Sequence, residues 1–196
     1  MDLEKTKRDY LIIVSGLPRS GTSMMMKAIH SGGIEPIIDN IRKADEDNPK
    51  GYYEFEPVKK TKEDASWVTD ASGKVVKMVY RLLYDLPSDH EYRVVFMGRD
   101  LKEILDSQSK MLERSGKTGG GIPDEQMKAL FEAELSKCKK WLAEQPNFKV
   151  LYIDHRDMIN DGAAQATKIN DFLDGGLDTE AMASVVDPAL YRNRNQ

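Results

Sequence analysis

A glycine-containing loop near the N-terminus has the spacing of a phosphate-binding loop. Gly16 and Gly21 are separated by four residues, and Thr22 and Ser23 follow the second glycine. Such a loop lets backbone N–H groups converge on an anion, and a helix that begins after it adds the positive end of its dipole. A nucleotide kinase or NTPase would carry lysine at position 22. Here position 22 is threonine and the nearest cation is Arg19, so the pattern predicts an anion site that uses arginine instead.

A second candidate anion site consists of an arginine and a serine at a fixed spacing. Arg99 follows the apolar run 93–98, and Ser107 comes eight residues later, on the next expected helix. A guanidinium fork together with a hydroxyl donor suits a dianionic phosphate. Taken alone, each residue is typical of a protein surface. Their spacing behind the glycine loop therefore carries more weight than either residue does.

These two segments resemble the signatures of the sulfotransferases that depend on PAPS (3′-phosphoadenosine 5′-phosphosulfate). In that family a loop reading Pro-Lys/Arg-Ser-Gly-Thr-Thr/Ser follows the first strand and binds the 5′-phosphosulfate. An arginine and a serine eight residues apart bind the 3′-phosphate. The resemblance implies that Arg19 contacts the phosphosulfate and stabilises charge on the leaving phosphate oxygen. The residues that it assigns to donor binding are Pro18, Arg19, Ser20, Gly21, Thr22, Ser23, Arg99 and Ser107.

A lysine on a later strand matches a catalytic residue of the same family. In cytosolic sulfotransferases a strand carrying Lys-Thr-His precedes the 3′-phosphate motif; its lysine contacts the sulfuryl group and its histidine is the general base. Lys77 matches the lysine, but Val79 stands where the histidine would be. The resemblance therefore implies a catalytic role for Lys77 and a base from elsewhere in the chain.

Glu54 is the candidate for that base. It ends the segment Asn-Pro-Lys-Gly-Tyr-Tyr-Glu at 48–54, which resembles the Asn-Pro-x-Gly-aromatic-aromatic-Glu segment of many bacterial sulfotransferase-like proteins. Other branches of the superfamily use glutamate as base, and a carboxylate can take a proton from an acceptor hydroxyl. The alternative is that Glu54 and Glu56 only complement the N-terminus of a helix beginning at Pro57.

The function that the resemblance implies is transfer of a sulfuryl group from PAPS to a hydroxyl or amine, with release of 3′,5′-ADP. Arg19 and Lys77 would neutralise the charge that magnesium neutralises in phosphoryl transfer, so no metal is expected. Two other functions stay open. Asp154 after an apolar run could bind magnesium in a P-loop kinase that uses ATP, although Thr22 counts against a kinase. A non-catalytic nucleotide-binding relative would explain the missing histidine.

The elements that must position these residues alternate between strand and helix. Apolar runs predict strands at 10–14, 74–80, 93–98 and 149–153, and helical spacing predicts helices at 24–30, 57–70, 101–113, 124–144, 163–173 and 179–185, with Asp124 as an N-cap. This order predicts one α/β domain over 1–196, of P-loop NTPase-like fold, with a mostly parallel sheet of about four to five strands. Segment 34–73 is the expected substrate-side insertion, and the glycine-rich segment 115–123 is the expected mobile loop.

Composition excludes several classes of protein. Lys plus Arg is 29 and Asp plus Glu is 33 among 196 residues, so the net charge is −4, and a general nucleic-acid binder would carry a basic excess. The single cysteine excludes an internal disulfide, and no apolar segment is long enough to enter a membrane. We therefore expect a cytoplasmic protein. The resemblance to sulfotransferases, and not the composition, implies a small-molecule or saccharide acceptor. The sequence does not indicate an oligomeric state.

Overall fold

A four-stranded parallel sheet organises the chain. The computed structural model describes residues 8–39, 41, 51–114, 116 and 121–186. The strands are β1 (Leu11–Gly16), β2 (Val75–Val79), β3 (Tyr92–Gly98) and β4 (Phe148–Asp154). All the pairings among these strands are parallel, and their order across the sheet is β2-β1-β3-β4. The predicted α/β architecture with a parallel sheet is confirmed, with four strands among the described residues.

Both faces of the sheet are covered, which explains the continuous apolar runs of β1 and β3. Ile12 and Val14 of β1 face one apolar core, and Leu11 and Ile13 face the other. The helices are α1 (Thr22–Ser31), α2 (Leu101–Arg114), α3 (Asp124–Glu144), α4 (His155–Asn160), α5 (Gly162–Phe172) and α6 (Thr179–Ser184). Side chains of α1, α4, α5 and α6 pack in the first core, and those of α2 and α3 pack in the second.

The strand order creates a crevice at the carboxyl end of the sheet. After β1 the chain continues to β2 on one side, whereas after β3 it continues to β4 on the other. In open α/β sheets ligands bind outside the carboxyl ends of the strands, where the connections diverge in this way. Gly16 is paired with Met97 at this end of β1 and β3. The glycine loop and the Arg99 turn therefore leave the sheet side by side.

The helix predicted over 57–70 is wrong. Two short 3₁₀ turns, Glu56–Lys60 and Ser66–Val68, take its place. Between them the Asp64 carboxylate accepts a hydrogen bond from the Ser66 N–H, 2.9 Å, a local bond that competes with helix formation. The predicted cap of α3 is also displaced by one residue, because Asp124 is the first helical residue and Pro123 is the N-cap.

The segment before β2 protects an edge of the sheet. The Ile37 N–H donates to the Val75 carbonyl, 2.8 Å, and the Val75 N–H donates to the Glu35 carbonyl, 3.0 Å. These bonds occupy the outer edge of β2 at its first residue, where it would otherwise be open to another chain. Residues 40 and 42–50 of the expected insertion and most of the expected loop 115–123 (residues 115 and 117–120) lie outside the described residues. Within the described ranges no helix is both long and apolar enough to cross a membrane.

Candidate functional site

The loop between β1 and α1 has a left-handed backbone at three positions. Gly16, Arg19 and Gly21 have φ angles of 144°, 73° and 98°. A Cβ on Gly16 would lie 2.7 Å from the Met97 carbonyl oxygen, so only glycine is accommodated there. Arg19 takes its left-handed conformation at an energetic cost that non-glycine residues accept mostly at functional sites. A backbone of this kind directs N–H groups toward an anion.

A buried hydroxyl lies inside this loop. Ser20 is 1% exposed, and its Oγ has no hydrogen-bond partner among the residues that the structure describes. Buried hydroxyls are normally satisfied, so this oxygen fits a loop that receives a ligand with polar atoms. Thr22 begins α1, whose first turns present N–H groups without helical partners. Pro18 is exposed, and its carbonyl accepts a hydrogen bond from Gln108 Nε2, 3.4 Å.

The structure brings the two sequence motifs into direct contact. Arg19 Nε donates a hydrogen bond to Ser107 Oγ, 2.9 Å, and Arg99 Nη1 donates to the Arg19 carbonyl, 3.0 Å. Ser107 is buried in α2, and the side chain of Arg99 is 11% exposed. Two guanidiniums and a hydroxyl thus meet in the crevice between β1 and β3. This set, which we call the arginine group (Arg19, Arg99 and Ser107), can bind a phosphate dianion.

A buried glutamate that the sequence analysis missed completes this region. Glu103 accepts from Arg99 Nε, 3.0 Å, and from Arg156 Nη2, 3.4 Å, and its side chain is 2% exposed. Asp100 and Glu103 have the Asp-x-x-Glu spacing of a helix capping box. The Asp100 carboxylate does cap α2 by accepting from the Glu103 N–H, 3.1 Å. The Glu103 carboxylate turns instead to the two arginines, which the spacing alone does not reveal.

A second set of predicted residues meets on the β2 side of the loop. Lys77 Nζ lies 3.7 Å from Glu54 Oε1 and donates hydrogen bonds to the Tyr52 carbonyl and to Ser23 Oγ, the latter at 3.3 Å. The side chains of Lys77 and Glu54 are 14% and 22% exposed, so both are largely shielded from water. This lysine–glutamate group (Ser23, Tyr52, Glu54 and Lys77) pairs a cation with a carboxylate that can accept a proton.

The Glu54 carboxylate faces Lys77 and not the N-terminus of a helix. Its carbonyl accepts from the Asp39 N–H, 3.2 Å, which fixes the backbone while the carboxylate faces Lys77. Glu56 points elsewhere and pairs with Lys59 on the surface, 2.5 Å. Val79, at the end of β2, is 39% exposed. An apolar side chain therefore borders the site where a histidine base would stand.

His155 forms part of the wall of the glycine loop. A Cβ on Gly21 would lie 2.6 Å from His155 Cδ2, so the imidazole packs directly on the loop. Burial and, to a smaller extent, the positive charge of Arg99 lower the pKa of His155 to about 4, against an opposing effect of Glu103. The ring is therefore neutral near pH 7. His155 belongs to neither of the two sequence motifs, yet the structure places it beside the loop.

We expect His155 to make stability depend on pH. Its pKa rises from about 4 in the folded protein to the ordinary 6.5 after unfolding. Below pH 6.5 the unfolded chain binds the proton more tightly, so the free energy of unfolding falls as the pH drops toward 4, by up to about 3 kcal/mol from this residue. Urea unfolding at about pH 7 and pH 4.5 should show a smaller decrease for His155→Gln than for wild type. The exposed His30→Gln serves as the control, and an unchanged decrease in His155→Gln would contradict the expectation.

The carboxylate considered for magnesium binding has a structural partner. Asp154, at the end of β4, caps α4 by accepting a hydrogen bond from the Arg156 N–H, 2.8 Å. Among the described residues, no group of three or more His, Cys, Asp and Glu side chains is arranged to hold a metal ion.

Comparison with known proteins shows the fold. No protein-family model and no curated protein matches the sequence. The solved structure of a sulfotransferase domain from the curacin biosynthetic pathway is similar, with a TM-score of 0.55 and 14% identity over 97% of this chain and 93% of that chain. A sugar kinase from Janibacter sp. HTCC2649 matches with a TM-score of 0.43 and 15% identity over 92% of this chain and 97% of that chain. The first likeness supports the P-loop NTPase-like fold.

Proposed function

We propose that this protein is a PAPS-dependent sulfotransferase that transfers a sulfuryl group to a hydroxyl or amine acceptor and releases 3′,5′-ADP. The observation that carries the proposal is the arginine group, in which Arg19 Nε lies 2.9 Å from Ser107 Oγ and Arg99 binds the Arg19 carbonyl. Two motifs far apart in sequence meet in one cationic crevice. The shared fold with a solved sulfotransferase domain supports the same choice.

The residues of the crevice fit the two anionic ends of PAPS. The left-handed loop, the start of α1 and the buried Ser20 hydroxyl would hold the 5′-phosphosulfate. Arg99 and Ser107 would hold the 3′-phosphate. Arg19 belongs to the loop and reaches Ser107, so its charge would serve both ends of the molecule.

The lysine–glutamate group supplies what the transfer step needs. Bound PAPS would provide the sulfuryl group, whose bond to the phosphate oxygen breaks as the acceptor oxygen or nitrogen bonds to sulfur. Glu54 takes the proton that the hydroxyl or amine of the acceptor loses, and Lys77 donates hydrogen bonds to the sulfuryl group as it is transferred. Arg19 stabilises the negative charge that develops on the phosphate oxygen. Since Tyr52 and Glu54 belong to segment 34–73 and contact Lys77, that segment would border the acceptor, which we expect to be a small molecule or saccharide.

A kinase that uses ATP and magnesium has less support. Position 22 is threonine where a kinase has lysine, and the Asp154 carboxylate serves as the cap of α4. No geometry in the described residues favours this second function over the first.

Thermal unfolding with each nucleotide separates the two functions. A ligand present at 100 times its Kd stabilises a protein by about 2.7 kcal/mol, which corresponds to a Tm increase of about 5–10 °C at this chain length. We expect 3′,5′-ADP to raise Tm by this amount in the presence of EDTA, and ATP with magnesium to raise it little. The reverse pattern would replace the sulfotransferase with the kinase.

A further inference from the structure

We infer that Glu103 is the residue that makes the site selective for a 3′-phosphate, because it positions Arg99 for that group. This role rests on the proposed function. The inference starts from burial: the Glu103 side chain is 2% exposed, and a carboxylate is costly to bury unless cations and hydrogen bonds compensate it. Its position in the first turn of α2 is favourable for a negative charge, but this effect is small compared with the cost of burial.

Glu103 belongs to a continuous network of hydrogen bonds. Arg156 and Arg99 each donate to a different carboxylate oxygen of Glu103, at 3.4 Å and 3.0 Å. Arg99 then donates to the Arg19 carbonyl, and Arg19 donates to Ser107. The guanidinium of Arg99 is therefore fixed on two edges, Nε and Nη1. A planar donor held in this way has one orientation to offer an anion in the crevice.

The net charge of these hydrogen-bonded side chains also matches the charge of the 3′-phosphate. Arg19, Arg99 and Arg156 together carry three positive charges, and Glu103 carries one negative charge. The two positive charges that remain are the charge that a phosphate monoester dianion neutralises. Without the carboxylate the crevice would hold an additional positive charge, which would attract anions of any kind. Glu103 thus limits general anion attraction while it orients the group that recognises one particular phosphate.

The test is the preference for 3′,5′-ADP over 5′-AMP, which differ only in the 3′-phosphate. We expect Glu103→Gln to lower the ratio of the two affinities, measured by calorimetry in EDTA, by about tenfold or more, the value of a charge-assisted hydrogen bond. General electrostatic attraction would raise the affinity for 3′,5′-ADP, the more highly charged ligand, more than that for 5′-AMP, so it would raise the ratio and not lower it. Overall loss of structure lowers both affinities together and leaves the ratio intact. Glu134→Gln is the matched control, because Glu134 also lies beside two cations, Arg81 and Lys137, but on α3.

The outcomes separate this inference from the proposed function. If wild type binds 3′,5′-ADP and 5′-AMP equally, both are overturned. If wild type prefers 3′,5′-ADP and Glu103→Gln keeps the same ratio, only the role of Glu103 is overturned. Should Glu103→Gln fail to fold, Arg156→Gln releases the other side of the carboxylate from a side chain that is 54% exposed. A lowered ratio in that variant supports the inference, and an unchanged ratio overturns it.

Discussion

Replacing Glu54 with glutamine should lower kcat by about 10²–10⁴-fold while leaving the affinity for 3′,5′-ADP unchanged. Glutamine has nearly the same shape but cannot take a proton from the acceptor at neutral pH. The carboxylate lies 3.7 Å from Lys77 in a largely shielded position, which is where the proposed mechanism puts the acceptor. The rate would be measured as release of 3′,5′-ADP from PAPS, with an acceptor found by screening hydroxyl, amine and saccharide compounds.

Glu56→Gln is the control for this experiment. Glu56 lies two residues away and pairs with Lys59 on the surface, so its neutralisation should leave kcat at the wild-type value. An undiminished kcat in Glu54→Gln would mean that another group is the base. A loss of 3′,5′-ADP affinity together with kcat would mean that Glu54 acts through the position of Lys77 and not as a base.

Replacing Arg99 with alanine should weaken 3′,5′-ADP binding by about 30-fold or more, because removing one partner of a buried charged interaction typically costs at least 2 kcal/mol. Three effects combine in this variant: the phosphate loses a guanidinium, the Arg19 carbonyl loses its donor and Glu103 loses its nearer cation. Affinity for 5′-AMP should change less, because that ligand lacks the 3′-phosphate.

Arg81→Ala is the matched control for Arg99→Ala. Arg81 also pairs with a glutamate, Glu134 at 3.4 Å, but its side chain is 63% exposed. Exposed pairs of this kind contribute little, so both nucleotide affinities should stay at wild-type values. An equal loss of 3′,5′-ADP and 5′-AMP affinity in Arg99→Ala would contradict its assignment to the 3′-phosphate.

Local patterns in the sequence predicted most of the fold. Strands β1 and β3 were recognisable because burial on both faces produces continuous apolar runs, and the alternation of apolar runs with helices predicted the parallel sheet. The helix predicted at 57–70 failed because side-chain bonds within the segment, such as that of Asp64 to the Ser66 N–H, compete with helical bonds. Helix α4 was missed because six residues give too short a pattern to detect.

The residues of the candidate site were also predictable only in part. Arg99, Ser107 and the loop could be recognised because strand and helix fix their spacing in sequence. Their direct contact could not, since it depends on the left-handed Arg19 backbone and on the neighbouring position of β1 and β3. Glu103 and His155 were not assigned to the site, because an acidic residue in a first helical turn and a histidine after a strand are typical of many structures. Only burial between the arginines and the loop distinguishes them.

The most direct test of a sulfotransferase site is the calorimetric titration of the wild-type protein with 3′,5′-ADP in EDTA, followed by the same titration with 5′-AMP. We expect 3′,5′-ADP to bind without metal and more tightly than 5′-AMP, with the difference carried by Arg99 and Ser107. Equal affinity for the two nucleotides, or no binding of 3′,5′-ADP, would contradict the assignment of the crevice to PAPS.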